Sequence, residues 1–184
     1  MSVVAICDYG AGNTRSVTAA LRRIGLTTAL TSDPDVIARA ERVVLPGVGS
    51  AREAMEHLTE SGAAEAIRQR FHSGRPILGI CLGMQLALER SEEDGGVETL
   101  SLIPGTVRQL ESTRVPRLGW SLVEPWGETF YFAHGYYCDS PLVTATTEGI
   151  AAAVASGSFV GVQFHPEKSG AAGQSWLASC LSLV

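Results

Sequence analysis

The first half of the chain alternates short apolar runs with segments in which apolar residues recur every three or four positions. Val3 to Cys7 is an apolar run that ends in a polar, glycine-rich turn, which is typical of a buried strand. Val17, Leu21 and Ile24 follow at helical spacing until Gly25 ends the segment. The further predicted strands lie around 28–30, at 42–45 and at 76–80, and the further predicted helices follow Pro34, follow Ser50 and resume from Gly62 to Gly74.

The second half of the chain has a different pattern. After about residue 97 short β-like runs replace the helices, until a terminal helix carries Trp176, Leu177 and Leu181. Strands that alternate with helices predict a parallel sheet with helices on both faces, and such sheets bind ligands at the carboxyl ends of their strands. We therefore expect an α/β fold with a mostly parallel central sheet flanked by helices and additional β-strands in the C-terminal half. The predicted runs are 106–110, 118–123, 130–133, 151–155 and 160–164.

Composition and charge narrow the function classes. The 184 residues are 45% hydrophobic and contain no Pro- or Ser-rich linker, so 1–184 is expected to form a single domain. The net charge is -5 and the basic residues are scattered, which argues against a nucleic-acid partner. No apolar stretch approaches membrane-spanning length, and the N-terminal run indicates a first strand rather than a signal peptide. Four widely separated cysteines indicate neither a disulfide framework nor a zinc site, so we expect a cytoplasmic protein with no metal or other cofactor.

Cys81 stands at the end of an apolar run, with Gly79 two residues before it and Gly83 two residues after it. Glycines at these positions allow a strand to turn sharply into a helix, the geometry called a nucleophile elbow. Such a turn holds the side chain out close to a helix N-terminus, where a thiol ionises more readily. A cysteine after an apolar run is also commonly a small buried residue, so this motif alone supports a catalytic and a structural interpretation about equally.

Near the other end of the chain, an apolar strand ends in His165, Pro166 and Glu167. Residues i and i+2 of an extended chain project to the same side, so Glu167 can reach the His165 ring and fix its tautomer. The other ring nitrogen can then face the Cys81 thiol. Cys81, His165 and Glu167 are therefore predicted to form a catalytic triad, in which His165 is acid and base and Glu167 orients it.

Attack of a cysteine on a carbonyl group also needs hydrogen-bond donors for the oxyanion. The backbone N–H of Leu82, directly after the nucleophile, is one predicted donor. We expect Gly47 and Val48 to supply the second, because the glycines of the Pro46-Gly47-Val48-Gly49 loop permit close approach of the backbone to a substrate. An isolated segment of this composition is otherwise an ordinary turn into a capped helix.

The motifs around these residues resemble those of the class I, triad-type glutamine amidotransferases, which convert glutamine to glutamate and ammonia through a γ-glutamyl thioester. Within that family they are similar to one branch, the glutaminase subunits of imidazole glycerol phosphate synthase in histidine biosynthesis. The resemblance runs from Ile6 to the last helix, and the motifs occur in the family's order. The motifs that carry it are 8–13, 16–17, 46–49, 79–85, 116–120, 131–136 and 164–170.

The resemblance implies a flavodoxin-like fold, L-glutamine as substrate and a heterodimer with a (β/α)₈-barrel cyclase subunit that would receive the ammonia released at Cys81. The branch usually has Ser or Thr where this chain has Gly135, so a side-chain hydroxyl is missing there and a main-chain contact is expected. The residues implied to bind glutamine are Gly49, Gln85, Gly135 and Tyr136, and those implied for the partner interface are Asn13, Trp120 and Lys168. Asn13 could instead cap the first helix, and Lys168 could simply be solvated.

The sequence alone leaves three other functions open. The chain could serve anthranilate, aminodeoxychorismate or pyridoxal phosphate synthesis, although residues 8–13 and Gly119-Trp120 favour histidine synthesis. A γ-glutamyl peptidase with the same fold would need an open site and no partner. A binding module that only activates or scaffolds its partner would leave Cys81 inert.

Overall fold

The structure is a computed structural model that describes residues 3–10, 12–111 and 115–183. Within these ranges the chain forms six α-helices and thirteen β-strands, and a 3-10 turn covers Pro166–Lys168. The helices are α1 (Thr14–Arg23), α2 (Pro34–Arg39), α3 (Ala51–Glu60), α4 (Ala63–His72), α5 (Leu82–Gln85) and α6 (Gly170–Leu183). The strands are β1 (Val3–Cys7), β2 (Thr27–Thr31), β3 (Arg42–Leu45), β4 (Ile77–Ile80), β5 (Arg90–Ser91), β6 (Val97–Glu98), β7 (Thr106–Gln109), β8 (Arg117–Val123), β9 (Glu128–His134), β10 (Tyr136–Asp139), β11 (Val143–Thr147), β12 (Ile150–Ser156) and β13 (Phe159–Val162). None of the helices in the described part of the chain is long and apolar enough to cross a membrane.

A seven-stranded sheet lies at the centre, in the order β11-β12-β13-β4-β3-β1-β2. Neighbouring strands from β13 through β4, β3 and β1 to β2 pair in parallel, whereas β12 runs antiparallel between β11 and β13. The predicted mostly parallel central sheet is therefore confirmed. Because β4 lies between β3 and β13, the turn that follows it lies beside the carboxyl ends of both neighbours, where open parallel sheets bind ligands.

Helices cover both faces of this sheet, so its parallel strands are apolar on both sides. In β1, Ala5 and Cys7 belong to the core beneath α3 and α4, whereas Val4 and Ile6 belong to the core beneath α1 and α6. All four residues of β4 are buried. The strand that carries the predicted elbow is thus held rigidly from above and below.

The remaining strands form two smaller sheets. β10, β7, β5 and β6 make a four-stranded sheet, and β8 and β9 make an antiparallel ribbon. Phe130 and Phe132 of the ribbon pack into the core beneath α1 and α6, and the Phe130 and Phe164 rings stack with centroids 4.1 Å apart. This packing holds β9 beside the segment that leads to His165.

Most local predictions are confirmed, and the differences have physical causes. Gly62 has φ 78° at the predicted break between α3 and α4, and the Ser50 hydroxyl accepts a hydrogen bond from the Glu53 N–H at the start of α3. β5, β6, β10 and β11 were not predicted, because they are two to five residues long and become strands only through their pairing partners. The helix after Cys81 has only four residues, since the chain turns away at Leu86 to bury its next residues.

Arg70 is a buried charge that joins α4 to the loop before β3. Its side chain is 2% exposed, and its guanidinium donates to the carbonyl oxygens of Pro76, Ile37, Ala40 and Glu41 at 2.6–3.1 Å. Burial lowers the pKa of the guanidinium to about 10, so the group is charged at neutral pH. A charged group with several carbonyl acceptors satisfies backbone groups that would otherwise be buried without partners.

We expect Arg70→Leu to lower the free energy of unfolding by about 3 kcal/mol or more, because it leaves several buried carbonyl oxygens unpaired. Denaturant unfolding followed by circular dichroism measures this change. Arg39→Leu is the matched control, because Arg39 forms an ion pair with Asp35 in which both side chains are about three-quarters exposed. Equal losses in the two variants would contradict the structural role of Arg70.

Candidate active site

Cys81 occupies a sharp turn between β4 and α5. Its backbone has φ 50° and ψ -106°, an arrangement that is strained for a residue with a side chain. A Cβ atom on Gly83 would overlap the carbonyl oxygen of Leu45, and one on Gly79 would lie 2.6 Å from the carbonyl oxygen of Gly83. The two glycines are therefore required by the close approach of the elbow to β3 and to its own strand, as the predicted elbow demands.

His165 and Glu167 lie on the turn that follows β13. His165 Nδ1 is 2.8 Å from Glu167 Oε1, and both side chains are fully buried. The His165 N–H donates to the Tyr131 carbonyl oxygen at 2.8 Å, and its own carbonyl oxygen accepts from the Ser169 hydroxyl at 2.7 Å. The backbone of this turn is thus fixed on one side by β9 and on the other by the start of α6.

Asn13 supports the same carboxylate. It occupies the position before α1 with φ 73°, and within the described residues its side chain makes no capping hydrogen bond to that helix. Instead its Nδ2 donates to Glu167 Oε1, the oxygen that also contacts His165. The Asn13 amide therefore helps to hold Glu167 toward the imidazole, a contact that the motif around Asn13 does not reveal.

Burial and the neighbouring side chains act in opposite directions on the pKa of His165. Burial lowers the pKa, but the neighbouring Cys81 thiol and the Glu167 carboxylate outweigh that effect and raise it to about 9. Glu167 occupies Nδ1, so the ring nitrogen that is left to face Cys81 is Nε2. Among the described residues, Nε2 has no hydrogen-bond partner. The imidazole is accordingly protonated at neutral pH and able to donate a proton.

The predicted oxyanion loop packs directly on the elbow. A Cβ atom on Gly47 would overlap the Leu82 side chain, so only glycine allows this contact. The Tyr9 hydroxyl donates to the Pro46 carbonyl oxygen, and the Gly12 N–H donates to the Val48 carbonyl oxygen at 3.3 Å. The segment between β1 and α1 therefore holds the loop in place beside Cys81.

A cavity of about 130 Å³ opens beside Cys81 at this edge of the sheet. It brings together most of the residues predicted for the oxyanion and for glutamine, while Gly47 lies behind it against Leu82. A carboxylate that was not predicted, Glu93, also lines it and accepts from the Ala51 N–H at 2.8 Å. Burial raises the pKa of Glu93, and the Ala51 N–H opposes that shift. The lining residues are Val48, Gly49, Cys81, Leu82, Gln85, Glu93, Ala133, His134, Gly135 and Tyr136.

Gln85 is more buried than its place on a short helix suggests. The residue is only 6% exposed. Its Nε2 donates to the Tyr136 carbonyl oxygen at 3.0 Å and to Gln163 Oε1 at 3.1 Å. The amide nitrogen is thus committed within the protein. For a ligand in the cavity, Gln85 can offer its carbonyl oxygen as an acceptor.

The three residues expected at a partner interface differ in their surroundings. Trp120 is 57% exposed on β8, and Lys168 is exposed on the turn after His165. Asn13 is partly buried by its contact with Glu167. The structure therefore leaves Trp120 and Lys168 accessible, whereas Asn13 contacts the predicted triad.

Two polar residues of the site were missed from the sequence: Gln163, which contacts the sulfur, and His134, which lines the cavity. Gln163 Nε2 is 3.5 Å from Cys81 Sγ, and His134 Nδ1 is 2.8 Å from the Tyr136 carbonyl oxygen. Burial lowers the pKa of His134 to about 4, so this ring is neutral at physiological pH. The only signal for Gln163 was a polar residue inside an apolar strand, and nothing in the sequence placed His134 beside the elbow.

The raised pKa of His165 predicts how stability depends on pH. The ordinary histidine pKa is about 6.5, so the folded chain holds this proton more tightly than the unfolded chain does. Its contribution to stability is fully present below pH 6.5 and is lost as pH rises through about 9. We expect Glu167→Gln to flatten this decline in the free energy of unfolding, because the variant removes a charge that raises the pKa. Denaturant titrations between pH 6 and 9 measure both slopes, and identical slopes would contradict the assignment.

Comparisons with known proteins identify the family of the chain. The chain matches the model of the family Glutamine amidotransferase class-I over residues 5–182. The imidazole glycerol phosphate synthase subunit HisH of Moorella thermoacetica is 43% identical over 202 residues, which cover 100% of this chain and 96% of the relative. The HisH subunit of Carboxydothermus hydrogenoformans is 44% identical over 196 residues, covering 97% and 98%. A crystal structure of a glutamine amidotransferase has the same fold, with a TM-score of 0.83 at 18% identity over 100% of both chains. The chain therefore belongs to the class-I glutamine amidotransferase family, in the group formed by the HisH subunits of imidazole glycerol phosphate synthase.

Proposed function

We propose that the chain hydrolyses glutamine to glutamate and ammonia and delivers the ammonia to the cyclase subunit of imidazole glycerol phosphate synthase in histidine biosynthesis. The observation that carries the proposal is the arrangement at the elbow, where a strained Cys81 lies beside a His165 that is paired with Glu167. Membership in the HisH group supports the pathway. We propose that residues 1–184 form one glutaminase domain, since strands from both halves of the chain share the central sheet.

The proposed reaction uses two proton transfers through one imidazole. The Cys81 thiolate attacks the side-chain amide carbon of glutamine, and the collapsing intermediate expels the amide nitrogen, which takes a proton from His165 and leaves as ammonia. The product is a γ-glutamyl thioester on Cys81. A water molecule then gives a proton to His165 and attacks the thioester, which releases glutamate and regenerates the sulfur.

The oxyanion of both intermediates needs donors that are already in place. The Leu82 N–H is one proposed donor, because the first amides of a helix have no acceptor within the helix. Gly47 and Val48 remain our proposal for the second. The loop that contains them is held by Tyr9 and Gly12, so a movement of the segment between β1 and α1 would also move the donors. We therefore propose that partner binding near this segment controls the reaction, and that glutamine turnover by the isolated chain is slow.

The cavity suits the charged end of an amino acid. Glu93 can pair with the α-ammonium group of glutamine, and the Gln85 carbonyl oxygen can accept a hydrogen bond from the same substrate. Gly49, Gly135 and Tyr136 line the cavity and can contact the substrate through their main-chain groups. The missing hydroxyl at Gly135 is consistent with a main-chain contact at that position.

An exposed apolar row marks the proposed docking surface for the cyclase. Leu118, Trp120 and Leu122 are 65%, 57% and 50% exposed, and their alternation places them on the outer face of β8. β8 pairs with β9, which carries the cavity residues Ala133 and His134. An apolar row on the strand beside β9 suits a partner that must receive ammonia without loss to water.

We propose the cytoplasm as the location, because the four cysteines lack a disulfide pattern.

We expect Cys81→Ala to abolish synthesis that depends on glutamine while the complex with the cyclase still uses added ammonium. The substitution removes the nucleophile but leaves the partner's chemistry intact. The measurement follows imidazole glycerol phosphate formation with glutamine or ammonium as nitrogen source. Equal activity with glutamine before and after the substitution would contradict the enzymatic role, and recovery of a chorismate-using partner instead of a barrel cyclase would contradict the pathway.

We expect Trp120→Asp to weaken the complex with the cyclase at least tenfold, because it places a charge in the apolar row. Titration calorimetry measures the affinity. Leu30→Asp is the matched control, since Leu30 is 51% exposed on β2, at the edge of the central sheet. A larger effect of Leu30→Asp than of Trp120→Asp would place the interface elsewhere.

Lys168 is the only lysine of the chain, so peptide mapping after amine-directed cross-linking reports directly on that position.

A further inference from the structure

Gln163 is a buried amide that contacts the nucleophile. It follows β13 directly, two residues before His165, and its side chain is completely buried. Its Nε2 lies 3.5 Å from Cys81 Sγ, a distance at which an N–H group donates to sulfur. It is not among the described residues that line the cavity, so it approaches the sulfur from within the protein.

A chain of hydrogen bonds fixes which end of the Gln163 amide faces the sulfur. The Tyr136 carbonyl oxygen can only accept, so the group of Gln85 that contacts it at 3.0 Å must be its Nε2. The same Nε2 donates to Gln163 at 3.1 Å, which makes that atom of Gln163 the carbonyl oxygen. The NH₂ group of Gln163 is then the end that faces Cys81.

The direction of this hydrogen bond favours one ionisation state of the sulfur. The Ala133 carbonyl oxygen, 3.8 Å from Sγ, is an acceptor that suits a protonated thiol. The Gln163 N–H is a donor, and hydrogen bonds to a charged acceptor are stronger than those to a neutral one. Because Gln85 holds the amide by its oxygen, the donor need not reorganise when the sulfur becomes negative.

We propose that Gln163 is a catalytic residue that donates a hydrogen bond to the Cys81 thiolate, and that Gln85 is the positioning residue that orients it. The reaction that the thiolate performs rests on the glutaminase function proposed above. The hydrogen bond itself concerns only the resting sulfur. It can therefore be tested without glutamine.

Other groups also act on this sulfur and must stay constant in the test. His165, paired with Glu167, faces Cys81 from the turn after β13. Tyr9 and Cys138 interact electrostatically with Cys81, and burial raises the pKa of each well above its usual value, so both are neutral in the range used. A change confined to Gln163 leaves all of these groups in place.

The first experiment measures how fast iodoacetamide alkylates Cys81 between pH 4 and 9, by mass spectrometry of the peptide that contains it. For Gln163→Met, which keeps the volume and removes the donor, we expect the midpoint of the pH profile to rise by about one unit, which makes alkylation about tenfold slower below the midpoint. Gln85→Met should also raise the midpoint of the pH profile, by less than Gln163→Met does. Gln69→Met is the matched control, because Gln69 is exposed on α4 and contacts Glu65. A wild-type profile in Gln163→Met would overturn the proposal.

The second experiment needs no change at Gln163, which covers the case in which that variant fails to fold. In the wild-type chain, the side-chain amide resonances of Gln163 should move with the same pH midpoint as the alkylation of Cys81. Resonances that stay constant through that midpoint would overturn the proposal.

The third experiment separates this proposal from the glutaminase function. In the complex with the cyclase, Gln163→Met should lower kcat for glutamine about tenfold and change KM less than twofold, with ammonium-dependent synthesis unchanged. A wild-type kcat in this variant would overturn the catalytic role of Gln163. An inactive wild-type complex would instead reject the glutaminase function, while the alkylation profile would still decide the hydrogen bond.

Discussion

The active site depends on the close backbone packing between the ends of β3 and β4. Gly83 lies against the Leu45 carbonyl oxygen and Gly47 lies against Leu82, with no room for a Cβ atom at either glycine. This packing maintains the strained backbone of Cys81, because the surrounding structure determines the turn more strongly than the residue itself does. The nucleophile and the loop proposed to bind the oxyanion therefore share one rigid contact.

Two chains of hydrogen bonds lead toward Cys81. One runs from Asn13 through Glu167 to His165, and the other runs from Tyr136 through Gln85 to Gln163. Each chain is oriented by a group that can only accept hydrogen bonds, the Glu167 carboxylate in the first and the Tyr136 carbonyl in the second. In a site shielded from water such fixed dipoles act strongly on charge. The fold thus surrounds Cys81 with a cation on one side and a neutral donor on the other.

The sequence was sufficient for the parts of the site that are local. The glycines around Cys81 and the spacing of His165 and Glu167 follow from backbone geometry within a few residues, and the structure has both arrangements. The short strands β5, β6, β10 and β11 were not predictable in this way, because their pairing partners lie elsewhere in the chain. Asparagine is a common helix-capping residue, yet the approach of α1 to the turn after β13 directs the amide of Asn13 to Glu167.

The sequence by itself determined the alternation of strands and helices, the elbow, the residue types of the triad and the family resemblance, since these depend on periodicity and on neighbouring residues. Only the tertiary structure decided that Gln163 contacts both the Cys81 sulfur and Gln85, that Glu93 lines the cavity, and that Arg70 lies buried among carbonyl groups. These contacts join residues up to 82 positions apart and arise from the order of strands in the sheet. Long-range contacts of this kind are set by how the elements pack, which periodicity along a chain does not encode.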